Sequence, residues 1–192
     1  MIRGENSRFY TAGLLAGILG VIIFATLLYP AKRSKAVTLH INSADVSVYF
    51  SPDGGATDAI VKEINHAHST IDIAMYDLTS KPIAQAIMNA EARGVKIRMV
   101  MDRKEADTRY SYASFFARNG IPVKLLPVYR DGLMHNKFAV IDNDEVITGS
   151  FNWTYSAEHR NYENLLIIRS PQLAQVYEKY FEKMYERGRN DE

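Results

Sequence analysis

From residue 45 onward, apolar positions alternate between a period of two and a period near 3.6. Val46–Phe50 (VSVYF), Ile71–Met75 (IDIAM), Val95–Met101 (VKIRMVM), Ile121–Leu126 and Glu163–Ile168 are short apolar or alternating runs, the signature of strands. Ala56–His68 repeats apolar residues at Ile60, Val61 and Ile64, which predicts a helix after the breaker Ser51-Pro52-Asp53-Gly54-Gly55. Ser80 as N-cap, with Pro82 in the first turn, predicts a helix to about Arg93 that Gly94 closes. A further helix is expected over Asp107–Asn119, ended by Gly120. Phe138–Ile141 and Val146–Ile147, parted by Asp142-Asn143-Asp144, predict a hairpin, and Trp153–Tyr162 reads as a loop. Leu173, Val176, Tyr177, Tyr180, Phe181, Met184 and Tyr185 follow the i, i+3, i+4 spacing behind Pro171, so these aromatics are expected in the core. Strands alternating with helices, plus a hairpin, give an α/β class: a mixed, mainly buried β-sheet flanked by helices.

The N-terminus follows a different rule. Residues 9–29 are uncharged (FYTAGLLAGILGVIIFATLLY), between Arg3 and Arg8 before and Lys32, Arg33 and Lys35 after. A helix of about 20 residues spans a hydrocarbon core, so the run predicts an N-terminal transmembrane helix. A cleaved signal peptide is the rival reading, and near-equal basic flanks leave the orientation open. The expected organisation is a short polar N-terminus (1–8), an anchor or signal sequence (9–30), a linker (31–44) with a short strand at Val37–Ile41, one globular domain (45–188) and a tail (189–192).

Composition narrows the chemistry. With no cysteine, disulfides, thiolate zinc sites and cysteine nucleophiles are excluded. Net charge is +1, but Glu91–Arg130 holds nine basic residues (Arg93, Lys96, Arg98, Arg103, Lys104, Arg109, Arg118, Lys124, Arg130) against four acidic ones. That excess reads either as a solvated face or as a phosphate-binding surface. His66 and His68, two apart near a helix end, read as surface residues and not as metal ligands.

The stretch His135–Asn152 concentrates the reactive groups. His135 and Lys137 are two apart, so in a strand both point to one side, placing an imidazole beside an ammonium. Ser150 and Asn152 repeat the spacing on the returning strand with a hydroxyl and an amide. Such a set suits attack on an anionic centre. Asp142, at the turn and at an odd offset from His135, reads as a structural residue that holds the hairpin.

His135-x-Lys137-(x)4-Asp142-(x)6-Gly149-Ser150-x-Asn152 resembles the HKD signature of the phospholipase D superfamily, and Val46–Tyr185 resembles its single-motif branch of small bacterial endonucleases and mitochondrial phospholipase D-like nucleases. The resemblance implies a phospholipase D-like fold in residues 45–188 and a phosphodiesterase acting through a phosphohistidine. His135, Lys137, Ser150 and Asn152 would be catalytic, Gly149 a structural motif residue, and Glu163 the carboxylate that orients the histidine. No metal or other cofactor is implied. In-line displacement needs a nucleophile and an acid on opposite sides of phosphorus. The sequence holds a single H-x-K, so the resemblance implies a homodimer with one composite site on its axis. The implied substrate is DNA or RNA first and a membrane phospholipid second, with the membrane reached through residues 9–30. A catalytically silent, membrane-tethered nucleic-acid-binding protein is a third reading, against which the intact motif speaks.

Overall fold

The computed structural model describes residues 44–126 and 132–190. The membrane run at 9–30, the linker strand at Val37–Ile41 and Arg130 lie outside the described residues. Among the described residues, no helix is long and apolar enough to cross a membrane.

The elements, in order, are β1 (Asp45–Phe50), α1 (Ala56–His66), β2 (Thr70–Met75), α2 (Lys81–Ala92), β3 (Lys96–Asp102), α3 (Arg103–Ala106), α4 (Ala113–Arg118), β4 (Val123–Leu126), β5 (Lys137–Ile141), β6 (Glu145–Gly149), α5 (Tyr155–His159), β7 (Asn164–Arg169), α6 (Pro171–Tyr185) and β8 (Arg189–Asn190). They form one eight-stranded sheet of order β1-β7-β6-β5-β2-β3-β4-β8. β2, β3 and β4 run parallel, and the remaining pairings are antiparallel, so the sheet is mixed as the sequence implied.

Strand alternation sends neighbouring residues into different cores. Ile71, Ile73 and Met75 of β2 join a cluster with Ile60 and Ile64 of α1 and Ile83 and Ile87 of α2. Ala74 of β2 instead joins Val100, Phe138, Val140, Val146 and the α6 residues Phe181 and Met184. The α6 stripe is therefore core as expected, although Tyr180 stays 49% exposed.

Several expectations need correction. Of the helix expected over Asp107–Asn119 only Ala113–Arg118 is helical, and a further short helix, α3, precedes that span, where the Asp102 carboxylate accepts from the backbone N–H groups of Lys104 and Glu105. Residues Trp153–Tyr162 hold a helix, α5, because the Thr154 hydroxyl accepts from Ala157 N–H. Ser80 stands at the N-cap of α2, yet its side chain makes no capping bond. Arg189–Asn190, expected as tail, pair with β4. Two of the basic residues of Glu91–Arg130 are taken up within the fold. Arg98 is held by Asp72, Glu178 and Glu182, and Arg93 donates to the carbonyls of Ile64 and Ala67.

The β5–β6 hairpin is fixed from both ends. Asp142 and Asn143 adopt φ of 54° and 55°, a left-handed turn that Asp and Asn tolerate. The Asp142 carboxylate accepts from the backbone N–H groups of His68, Ser69 and Thr70 and from the Ser69 hydroxyl, at 2.7–3.0 Å. Burial pushes its pKa up, but these bonds outweigh burial and hold it below the usual carboxylate range. At the other end Gly149 has φ 149°, and an added Cβ would overlap the carbonyl oxygen of Asn164.

Two predictions follow from the hairpin. Asp142→Ala should lose about 2 kcal/mol of stability in chemical denaturation, since three backbone N–H groups and a hydroxyl lose one charged acceptor together. The Asp142 contribution is full above the unfolded carboxylate pKa and is lost as pH falls through the depressed folded value, so Asp142→Ala should also flatten the acid limb of the stability curve. Gly149→Ala should cost about 2–3 kcal/mol by melting temperature, because backbone strain and a backbone clash act together.

Candidate active site

His135 and Lys137 stand where β5 begins. β5 starts at Lys137, not at His135, and the segment before it is held by side-chain and backbone bonds. The fully buried Asp102, at the end of β3, accepts from Met134 N–H at 2.8 Å, and the Asn136 carbonyl accepts from Tyr76 N–H at 2.9 Å. The imidazole is thereby left exposed on a fixed base.

Lys137 is buried, with 8% of its surface exposed. Its ammonium donates to the His135 carbonyl at 3.0 Å and lies 4.7 Å from the centroid of the Tyr76 ring. The same ring lies 4.5 Å from the His135 imidazole, so Tyr76 touches both members of the pair. Burial pushes the Lys137 pKa below the ordinary lysine value, against the opposing pull of Glu163 and Asp77. Asp77 in turn is raised by burial and by Glu105, and is lowered by Lys137. The Tyr76 hydroxyl donates to Glu105 at 2.9 Å, which, with burial, pushes the phenol up to about 12.

Ser150, Asn152 and Glu163 come from the chain after β6 and the residue before β7. The Ser150 hydroxyl donates to Glu163 in a short hydrogen bond and accepts from Asn164 N–H. Glu163 also accepts from the Asn161 amide, and its backbone N–H donates to the Ser51 hydroxyl. Within one chain Glu163 is therefore engaged by Ser150 and Asn161. Asn152 sits between two anchored neighbours. Phe151 N–H donates to the Asn164 carbonyl and Trp153 N–H to the Asp77 carbonyl, and the Asn152 side-chain oxygen is buried without a hydrogen-bond partner.

The arrangement collects an exposed imidazole, a desolvated ammonium, a hydroxyl and an amide at one end of the sheet. Such groups can attack phosphorus and neutralise charge building on its oxygens. Among the described residues, no group of three or more His, Asp or Glu residues is placed to hold a metal ion. Asp142 lies at the far end of the hairpin, with its carboxylate committed to the backbone. Tyr76, Asp77 and Glu105 were not foreseen. Tyr76 and Asp77 read only as a connection after a strand, and nothing in the spacing ties them to a lysine some 60 residues later.

Residues 60–185 match the family model described as "Cardiolipin synthase, PLD-like domain". The chain is 38% identical over 175 residues to the phospholipase D of Rickettsia conorii, covering 91% of this chain and 82% of that protein. It is 34% identical over 146 residues to the mitochondrial cardiolipin hydrolase of Drosophila melanogaster, covering 66% of this chain and 57% of the relative. The fold superposes on the crystal structure of Nuc, a phospholipase D family member from Salmonella typhimurium, with a TM-score of 0.72 and 32% identity, over 77% of this chain and 98% of Nuc. Motif, fold and full-length likeness agree: the chain belongs to the phospholipase D superfamily and is a hydrolase of phosphodiester bonds.

Proposed function

We propose that the protein hydrolyses nucleic-acid phosphodiesters through a phosphohistidine, without a metal, in a site shared by two copies of the chain. One His135 attacks phosphorus in line with the leaving oxygen. The other protonates that oxygen and then activates the water that releases the phosphoryl group. Lys137 and Asn152 of both copies hold the non-bridging oxygens, with Ser150 assisting, and Glu163 uses its remaining acceptor capacity to fix the imidazole tautomer. The observation that carries this reading is the single exposed His135 beside the buried Lys137, in a sequence with one H-x-K.

The second copy has a surface to meet. Val46, Val48 and Phe50 line one face of the edge strand β1 and are 52%, 49% and 67% exposed. Phe50 pairs with Asn164, next to Glu163, so this apolar face runs up to the site. A nucleic-acid substrate is favoured by the likeness to Nuc. The phospholipase D reading is supported by the full-length likeness to the protein of that name, and residues 9–30 supply membrane association in either case.

The reading is tested on full-length protein in detergent with DNA, RNA and phosphatidylcholine, each with EDTA present. Wild type should cleave nucleic acid undiminished by the chelator, while His135→Ala should lose at least about a thousandfold in kcat, as expected of a missing covalent nucleophile. Cleavage of lipid alone would replace the nuclease assignment. Phe50→Asp should lower dimer content and activity in parallel when both are followed across a dilution series. Because Lys137 must stay protonated to neutralise phosphoryl charge and its pKa is depressed, the basic limb of the kcat/KM profile should lie below lysine's ordinary range. Lys137→Arg should move that limb upward.

A further inference from the structure

Beside the histidine–lysine pair opens a cleft of about 440 Å³, lined among others by Asp77, Glu105, Thr108, Tyr110, Tyr155 and Ser156. It is linked to the chemistry through shared neighbours. Glu105 holds the Tyr76 hydroxyl, Tyr76 touches His135, and Asp77 and Lys137 feel each other's charge. Tyr110, in the turn between α3 and α4, and Tyr155, at the start of α5, both line the cleft and are 68% and 62% exposed. Each also carries a guanidinium over its ring: Arg109 lies 4.8 Å from the Tyr110 centroid and Arg160 5.6 Å from that of Tyr155. Neither tyrosine belongs to the family motif, and neither helps to fill a core.

Resting on the nuclease reading above, we propose that this cleft seats unpaired bases next to the scissile phosphate, with Tyr110 and Tyr155 as stacking platforms, so that the enzyme selects single-stranded nucleic acid. Bases pack on the exposed parts of the tyrosine rings that Arg109, Arg160 and His159 leave open, and the phosphates between them pass Arg109 and Arg160. The carboxylates of Asp77 and Glu105 accept from exocyclic amino groups. In a duplex those faces are stacked on neighbouring pairs and those amino groups are largely taken up in pairing, so only a splayed strand satisfies all three contacts. A cationic lipid head group is the competing occupant of a cleft with two carboxylates. The guanidinium already over each tyrosine opposes it, because an ammonium brought to either ring would meet a positive charge already there.

The experiment compares a single-stranded oligonucleotide, a hairpin duplex of the same sequence and phosphatidylcholine vesicles, using full-length wild type, Tyr110→Ala, Tyr155→Ala and the two Tyr→Phe variants. Wild type should prefer the single strand, and each Ala variant should raise its KM by about tenfold, the scale of one lost base–aromatic stack. Each Phe variant should stay near wild type, because the ring face remains, and melting curves identify any variant that fails to fold. Equal effects of the Ala variants on single strand and duplex, or no effect on either, would overturn the stacking role while nuclease activity itself survives. If wild type cleaves only the vesicles, and the Ala variants weaken that cleavage, the cleft belongs to a head group and the nuclease reading falls with it.

Discussion

The site end of this molecule depends on one costly placement: an ammonium held almost out of water beside an imidazole that must stay in it. A buried, unpaired charge would unfold the region or shed its proton. Lys137 avoids both outcomes through the His135 carbonyl, the face of Tyr76 and the negative fields of Glu163 and Asp77. None of these is a direct ion pair. The charge is therefore stabilised without being neutralised.

Keeping that geometry requires the ends of several strands to be bound to one another. Asp102 at the end of β3 holds Met134, Tyr76 after β2 holds Asn136, and Asp77 holds Trp153 after β6. Each tie crosses between strands adjacent in the sheet or one removed, so sheet order and site geometry are the same constraint seen at two scales. The far end of the hairpin is held just as firmly by Asp142, which explains how a motif aspartate can matter without touching the chemistry.

Charge placement shows where pattern reading stops. The basic excess of Glu91–Arg130 is real in the sequence, yet Arg98 is spent on three carboxylates, two of them from α6, while Arg93 serves backbone carbonyls. Arg109 does reach the cleft rim, through a tyrosine ring. A count of charges along a chain says nothing about which carboxylates will fold against them.

Periodicity alone was enough for the strands, for α1, α2 and α6, and for the mixed sheet, because those elements bury a face whose spacing is local. Fixed offsets within one hairpin likewise exposed His135, Lys137, Asp142, Gly149, Ser150 and Asn152. The helices α3 and α5 and the strand β8 were decided by side-chain caps and by an edge that pairs only after the sheet has formed. Tyr76, Asp77, Glu105, Tyr110 and Tyr155 became neighbours of the site for the same reason. Contacts between residues tens of positions apart leave no period in the chain, and only the packed sheet brings their side chains together.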